Sequence, residues 1–156
     1  MNNSLDQILI FDTTLRDGNQ APGASMSLDE KVEIALLLDD MGVDIIEAGF
    51  PISSKGDFRA VDAVSRVVKN ARVCALTRAR SKDIMCAVEA LKLAKNKRIH
   101  TFISTSEIHM KYKLNMSQKL VLESIKDSVT LARKYADDVE WSCEDGTRSD
   151  IDFLCR

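Results

Sequence analysis

Short apolar segments alternate along the chain with longer segments in which apolar residues recur every three or four positions. The short segments have the length and composition of buried strands, and the longer ones have the periodicity of helices packed on one face. The sequence predicts five strands, at residues 8–12, 43–48, 72–76, 99–103 and 139–142. It predicts four helices between them, at residues 27–41, 56–69, 81–95 and 117–135.

The first predicted helix has recognisable signals at both ends. Ser27 and Glu30 have the spacing of a capping box, and Gly42 stands where a helix commonly ends. The apolar residues of this segment predict which side of the helix faces the core. The residues expected on that buried face are Leu28, Val32, Ala35, Leu36 and Met41.

Strands and helices that alternate in this way require parallel strands joined by right-handed crossovers, so we predict the α/β class. Two layouts are compatible with the periodicity, an open doubly wound sheet and part of a (β/α) barrel. The first strand-to-helix turn, RDGNQ at residues 16–20, has no G-x-G-x-x-G. It would also place an acid beside a pyrophosphate, which argues against a dinucleotide-binding fold.

The composition is that of a globular protein without a strong charge bias. The 156 residues are 45% hydrophobic and 29% charged, with a formal net charge of −2. One ordered domain is therefore expected, and neither nucleic acid nor a membrane is indicated as a partner. The first residues lack the basic start and apolar stretch of a signal peptide, which predicts a cytoplasmic location. The four cysteines have no C-x-x-C spacing and are expected to be reduced thiols.

Polar residues collect at the carboxyl end of every predicted strand. In a parallel α/β fold these ends build the site, and a barrel gathers them at one mouth. The residues concerned are Arg16, Asp17 and Gln20 after the first strand, Glu47 in the second, Thr77 and Arg78 after the third, His100, Ser104, Thr105 and Ser106 with the fourth, and Ser142, Glu144 and Asp145 with the fifth.

Two adjacent residues after the first strand carry the strongest chemical signal. Asp17 is either a capping or surface carboxylate or a ligand of Mg²⁺ or Mn²⁺, which prefer carboxylate oxygen. Arg16 either pairs with a nearby acid or binds a carboxylate or a developing oxyanion. Neighbouring residues of a strand point in opposite directions, so only irregular backbone can place both in one site. Glu47 interrupts an apolar strand, and a buried acid requires a partner such as Arg16 or Arg78, whether that pair is structural or functional.

The other titratable side chains are each compatible with two roles. His100, in the fourth strand, is a hydrogen-bonded core residue or a ligand. Glu144 caps the next helix or takes part in the site. Cys143 has His100 as a conceivable base, but nothing in the sequence fixes their distance, and nucleophilic catalysis by this thiol is disfavoured.

The stretch FDTTLRDGNQ at residues 11–20 resembles the opening motif of the 2-isopropylmalate synthase family, metal-dependent acyl-CoA condensing enzymes built on TIM barrels. Four later stretches are similar to the same family in the same order: MGVDIIEAGFP at 41–51, RVCALTR at 72–78, RIHTFISTS at 98–106 and VEWSCED at 139–145. The resemblance covers essentially the whole chain. It implies a partial (β/α)₈ TIM barrel with about five parallel strands and four intervening helices.

The resemblance implies a Claisen-type condensation of acetyl-CoA with a 2-oxo acid, 2-oxoisovalerate, an acyltransferase step of leucine and branched-chain amino acid biosynthesis. A divalent metal, Mg, Mn or Zn, would chelate the 2-oxo acid and polarise its carbonyl. By resemblance Asp17 is a metal ligand, Arg16 is a catalytic residue that stabilises the developing oxyanion, and Glu144 is a second catalytic residue at the reacting centre. The residues implied in substrate binding are Gln20, Glu47, Leu76, His100 and Ser142.

Some features of that family have no counterpart in residues 1–156. Asn19 departs from the acidic form of the opening motif. A complete barrel takes about 250 residues, so we expect residues 1–156 to be the N-terminal portion of the catalytic barrel. The family's remaining metal ligands, a His-x-His pair and an Asn, and its C-terminal regulatory domain are absent. We therefore expect an incompletely liganded metal, weak metal binding and little activity from this chain alone.

Alternative functions are compatible with the same residues. A non-catalytic, truncated half-barrel would leave two strand edges uncovered and would associate with itself, and a homo-oligomer is expected. A homocitrate or citramalate synthase relative would share the motifs, because pocket side chains choose the 2-oxo acid. An open-sheet small-molecule binding domain is a further alternative, which strand order would distinguish.

Overall fold

The five predicted strands are all present, and they lie side by side in chain order. In the computed structural model, which describes residues 7–156, each strand pairs in parallel with the next. The strands are β1 (Phe11–Asp12), β2 (Ile45–Gly49), β3 (Arg72–Arg78), β4 (Lys97–Ser104) and β5 (Asp138–Glu144).

The connections between the strands are mainly helical. The helices are α1 (Leu28–Asp40), α2 (Lys55–Val67), α3 (Ser81–Ala90), α4 (Glu107–His109), α5 (Gln118–Ala132) and α6 (Ile151–Leu154). The short α4 continues into a π-helical turn over Met110–Leu114, and neither that segment nor α6 is among the predicted helices. No helix in the described part of the chain is long and apolar enough to cross a bilayer.

The strand order β1-β2-β3-β4-β5 decides between the two predicted layouts. Every crossover moves in the same direction along the sheet, and right-handed crossovers then put all connecting helices on one face. A doubly wound sheet would instead reverse its order and carry helices on both faces. The partial TIM barrel is therefore confirmed, as a five-stranded arc with its helices outside.

The two faces of the sheet have different compositions because side chains alternate along each strand. One face packs against the helices and forms the main hydrophobic core, with Ile46, Ala48, Val73, Ala75 and Ile99 among its buried members. We call the other face the concave face. It carries the polar and titratable residues Glu47, Cys74, His100, Glu140 and Ser142.

The sequence predicts a buried strand at residues 8–12, and for most of this run the prediction is wrong. Only Phe11 and Asp12 pair with β2, and Ile8, Leu9 and Ile10 are 82%, 43% and 56% exposed. The reason is the position of β1 at the edge of the sheet, where no second neighbour covers it within the described residues.

The ends of α1 are predicted correctly, but its buried face is not. Ser27 and Glu30 form the capping box, and Gly42 follows the helix with φ at +81°. Of the predicted buried residues only Ala35 is fully covered, while Leu28, Leu36 and Met41 are exposed. The helix instead buries Lys31 and Asp39. The cost of burying these charged side chains is offset because both have polar partners, and Lys31 Nζ lies 3.7 Å from Asp57 Oδ1.

Asp39 fastens the end of α1 to the chain that enters β3. Its two carboxylate oxygens accept hydrogen bonds from the backbone N–H groups of Lys69, Asn70 and Ala71 at 3.0, 3.0 and 2.7 Å. Burial alone would raise the pKa of Asp39, but these N–H donors outweigh it, and the pKa is lowered. The carboxylate therefore stabilises the fold more strongly when it is ionised than when it is protonated.

Replacing Asp39 by alanine is expected to lower the free energy of unfolding by about 3 kcal/mol at pH 7, because buried N–H groups lose their acceptor. A folded pKa below the unfolded value means that this stabilisation is present above the unfolded pKa and is lost as pH falls through the folded pKa. Urea unfolding at several pH values measures the free energy of unfolding of both chains. The difference in this free energy between Asp39→Ala and the unsubstituted chain should become smaller in acid. Asp40→Ala, at the neighbouring exposed carboxylate, is the control; equal effects of the two variants would contradict the assignment.

Candidate active site

The turn after β1 places the side chains of Arg16 and Asp17 together. The Thr13 carbonyl oxygen accepts hydrogen bonds from the N–H groups of Arg16 and Asp17 at 3.1 and 2.9 Å, which coils the backbone. Leu15, between these residues and β1, is fully buried and anchors the turn. Arg16 Nη1 lies 3.0 Å from Asp17 Oδ1. The irregular backbone that the sequence required for a shared site is therefore present.

A line of hydrogen bonds crosses the concave face from Arg16 to Ser142. Arg16 Nε donates to Glu47 Oε2 at 2.6 Å, and Glu47 Oε1 lies 2.6 Å from His100 Nδ1. On its other side, His100 Nε2 lies 2.7 Å from Ser142 Oγ. Four residues that the sequence singled out thus form one network, supplied by the β1 turn, β2, β4 and β5.

The strand register staggers the residues of this network along the sheet, since Ser142 pairs with Phe102 and not with His100. Glu47 stands opposite Cys74, and the pairing of β2 with β3 shifts between Glu47 and Gly49, an irregularity of the kind that re-aims side chains beside sites. Leu76 stands opposite His100 on β3 and is 9% exposed. The predicted substrate-binding residue Leu76 is therefore an apolar neighbour of the network.

Glu47 is the fully buried centre of this network. Burial alone would raise the pKa of Glu47, but hydrogen bonds from His100 and Arg16, together with the charge of Arg16, outweigh it and lower the pKa. The buried carboxylate is therefore ionised and paired, as the sequence required. Its cationic partner is Arg16, since Arg78 pairs with Asp83 at 2.6 Å.

Asp17 and Gln20 lie at the exposed end of the turn. Asp17 has 69% of its side chain accessible and uses one oxygen for Arg16. Within residues 7–156 it belongs to no group of three or more His, Cys, Asp or Glu side chains near enough to share an ion. A hard divalent cation takes about six ligands, so Asp17 fits one ligand of such a site and the described residues do not complete it.

Glu144 lies two residues beyond Ser142 on β5 and has partners of its own. Its carboxylate accepts hydrogen bonds from Lys113 Nζ at 2.7 and 2.8 Å and from Ser104 Oγ. Burial alone would raise the pKa of Glu144, but Lys113 and Ser104 lower it. Together with Arg78, these residues line a cavity of about 290 Å³ at the carboxyl ends of β3, β4 and β5. The structure thus places Glu144 at the mouth, beside the network and not bonded to it.

Three residues of this region carry no role in the sequence analysis. Cys74 lies beside Glu47 and His100. Glu140 lies 3.8 Å from His100 Nε2 and is held by Arg98 at 2.8 Å. Because side chains alternate between the two faces of a strand, Glu140 and Ser142 lie on the same face of β5, and this pattern could have identified Glu140 from the sequence. Lys113 lies in the π-helical turn, whose sequence has no periodic signal.

The four cysteines, Cys74, Cys86, Cys143 and Cys155, are free thiols, as predicted. His100 directs its Nε2 to Ser142, which stands next to Cys143 on β5 and on the opposite face. Nucleophilic catalysis by Cys143 therefore has no support from the geometry.

Known proteins resemble this chain over nearly all of its length. It is 61% identical over 151 residues to a 2-isopropylmalate synthase of Bradyrhizobium sp. (strain ORS 278), and 60% identical over 151 residues to a 2-isopropylmalate synthase of Rhodopseudomonas palustris (strain BisA53). Each alignment covers 97% of this chain and 29% of the relative, so the chain spans less than a third of the relatives' length. The model of the HMGL-like family matches residues 7–156. The chain therefore belongs to the HMGL-like family.

Proposed function

We propose that this chain is the N-terminal portion of a 2-isopropylmalate synthase barrel and supplies half of its active site. The reaction would be the condensation of acetyl-CoA with 2-oxoisovalerate in leucine biosynthesis. The observation that carries this proposal is identity of about three residues in five to 2-isopropylmalate synthases along 97% of the chain. The Arg16–Glu47–His100–Ser142 network supports it, because it joins the resembling motifs into one site. The free thiols suit the proposed cytoplasmic location.

In the proposed reaction a proton leaves the methyl group of acetyl-CoA, and that carbon forms a bond to the keto carbon of 2-oxoisovalerate. The oxo oxygen gains the electron pair and then a proton, and water cleaves the thioester to release CoA. A bound divalent metal, Mg, Mn or Zn, would polarise the oxo group. Asp17 would supply one ligand to that metal, next to Arg16.

Arg16 is the proposed partner of the developing oxyanion. Glu47 accepts a hydrogen bond from Arg16 Nε, and Asp17 accepts one from Arg16 Nη1. Within residues 7–156, Arg16 Nη2 is left to face a ligand. Glu47 therefore fixes the plane of the guanidinium before substrate arrives, and a preorganised cation is worth more than one that must reorient.

The remaining roles follow from position on the concave face. Glu144, ionised at the mouth, is the proposed second catalytic residue. His100 and Ser142 are proposed to orient the oxo acid by hydrogen bonds. Leu76 would border its apolar part, and the exposed Gln20 would contact it near the metal.

A chimera tests this proposal. The matching 151 residues of the Bradyrhizobium relative are replaced by this chain, and CoA release from acetyl-CoA is followed with a thiol reagent. We expect turnover with 2-oxoisovalerate above that with 2-oxoglutarate or pyruvate, and little turnover from the 156-residue chain alone. A preference for 2-oxoglutarate or pyruvate would favour the homocitrate or citramalate alternative. No release with any of the three, while the parent enzyme is active, would contradict the proposal.

The exposed apolar residues beside β1 favour a second candidate, a half-barrel that associates with itself. Uncovered apolar side chains at a sheet edge promote association, and Ile8 and Ile10 are 82% and 56% exposed there. We expect light scattering to give a mass above 17.4 kDa that rises with concentration. The double variant Ile8→Lys and Ile10→Lys should lower that mass, whereas Ile151→Lys, at a 75% exposed isoleucine of α6, should leave it unchanged. A folded monomer at every concentration would contradict this candidate.

A further inference from the structure

A third side chain with metal-ligating chemistry lies against the Glu47–His100 pair. One ligand atom each from Glu47, Cys74 and His100 lies within 4.8 Å of the other two. The three residues come from the adjacent strands β2, β3 and β4, and they are 0%, 0% and 6% exposed. No step of the proposed reaction uses Cys74, so its place in this group needs a separate explanation.

We propose that Glu47, Cys74 and His100 form a binding site for a thiophilic divalent cation of the Zn²⁺ type, separate from the oxygen ligand Asp17. A thiolate, an imidazole and a carboxylate are the three kinds of side chain that bind zinc, at about 2.0–2.3 Å. Water would take the fourth position. Hard cations such as Mg²⁺ and Mn²⁺ prefer oxygen and gain little from a thiolate. Asp17 and the Glu47–Cys74–His100 group would therefore select different ions.

The hydrogen bonds around the three ligands support this assignment. Arg16 holds Glu47 by Oε2, which leaves Oε1 for the ion. Ser142 lies 2.7 Å from His100 Nε2, which leaves Nδ1 on the side of Glu47. A metal-binding histidine normally donates its second ring N–H to a neighbouring acceptor, and a ligating carboxylate is itself hydrogen-bonded. Both outer contacts are already in place.

Binding would change the bonding inside the group in a defined way. The Cys74 thiol would lose its proton to solvent and bind as thiolate. The ring proton of His100 would move from Nδ1 to Nε2, which then donates to Ser142 Oγ, and the bond between His100 Nδ1 and Glu47 Oε1 would be replaced by a bond from each atom to the ion. Burial raises the pKa of the Cys74 thiol well above its usual range, chiefly by desolvation. The positive charge of a coordinated ion offsets that penalty and deprotonates a coordinating thiol.

Titration of the 156-residue chain with Co²⁺, a spectroscopic substitute for Zn²⁺, tests the site without any substrate. We expect one Co²⁺ per chain and a near-ultraviolet thiolate-to-cobalt charge-transfer band that disappears when Zn²⁺ is added, since Zn²⁺ binds such ligands more tightly. Binding at Asp17 would give no thiolate band. The outcome is therefore independent of the proposed enzymatic function, which the chimera tests separately.

Two variants identify the thiol. Cys74→Ser should abolish the charge-transfer band. A chain in which Cys86, Cys143 and Cys155 are all replaced by serine should keep it, and this second variant leaves the buried Cys74 untouched in case its replacement impairs folding. A full band in Cys74→Ser, or no band in the chain that retains only Cys74, would overturn the proposal.

Discussion

Replacing Arg16, the proposed oxyanion donor, by lysine in the chimera is expected to lower kcat by roughly 10²–10³-fold, the usual cost of removing one such donor. Lysine keeps the positive charge but has no planar fork. The three N–H groups of lysine share a single nitrogen, so they cannot replace bonds made by two separate nitrogens of Arg16, to Glu47 at 2.6 Å and to Asp17 at 3.0 Å, while a third nitrogen faces the substrate. Steady-state CoA release with saturating acetyl-CoA and 2-oxoisovalerate measures the effect.

Arg66→Lys is a matched control for the Arg16 variant. Arg66 also pairs with a carboxylate, Asp62 at 2.9 Å, but it lies on the exposed side of α2, away from the concave face. Its replacement should leave kcat unchanged. An Arg16 variant as active as the unsubstituted chimera would contradict a catalytic role for Arg16, whereas an equal loss in both variants would indicate a general sensitivity to arginine replacement.

How well the sequence predicts each strand and helix depends on which other parts of the fold pack against it. The predicted bounds of strands β2 to β5 agree with the observed ones to within a few residues. The reason is that strands buried on both faces of a parallel sheet are nearly continuous apolar runs, which stand out between the helices. The run at residues 8–12 has the same composition, yet only two of its residues pair, because composition does not say which strand is at the edge. The face of α1 is missed for a related reason: Lys31 and Asp39 become suitable for burial only through partners distant in the chain.

The sequence likewise predicts the residues of the candidate site but not the contacts between them. The sequence identifies Arg16, Glu47, His100 and Ser142 because each is a polar residue in or shortly after a predicted strand, and it requires a cation for Glu47. It does not show that His100 joins Glu47 to Ser142, since that contact depends on strand order and on the shifted register after Glu47. The partner of Glu144 could not be predicted, because Lys113 lies in a helical turn without a periodic pattern.

Replacing Glu47 by glutamine is expected to have the largest effect on stability, a loss of about 3 kcal/mol or more in the free energy of unfolding at pH 7. Glutamine fits the space, but its amide nitrogen is a donor and would face either Arg16 or His100. It also leaves the charge of Arg16 without its buried counterion, and Arg16 is only 19% exposed at its side chain. Urea unfolding followed by circular dichroism measures the loss.

The pH dependence of that loss separates an ionic role for Glu47 from simple packing. The folded pKa of Glu47 is lowered, so its contribution is present above the unfolded pKa and is lost as pH falls through the folded pKa. The difference between Glu47→Gln and the unsubstituted chain should therefore narrow in acid. Glu89→Gln, at an exposed acid paired with Lys92, should have no measurable effect at any pH. A Glu47→Gln loss that stays constant across pH would mean that shape, and not the ionised carboxylate, holds the network together.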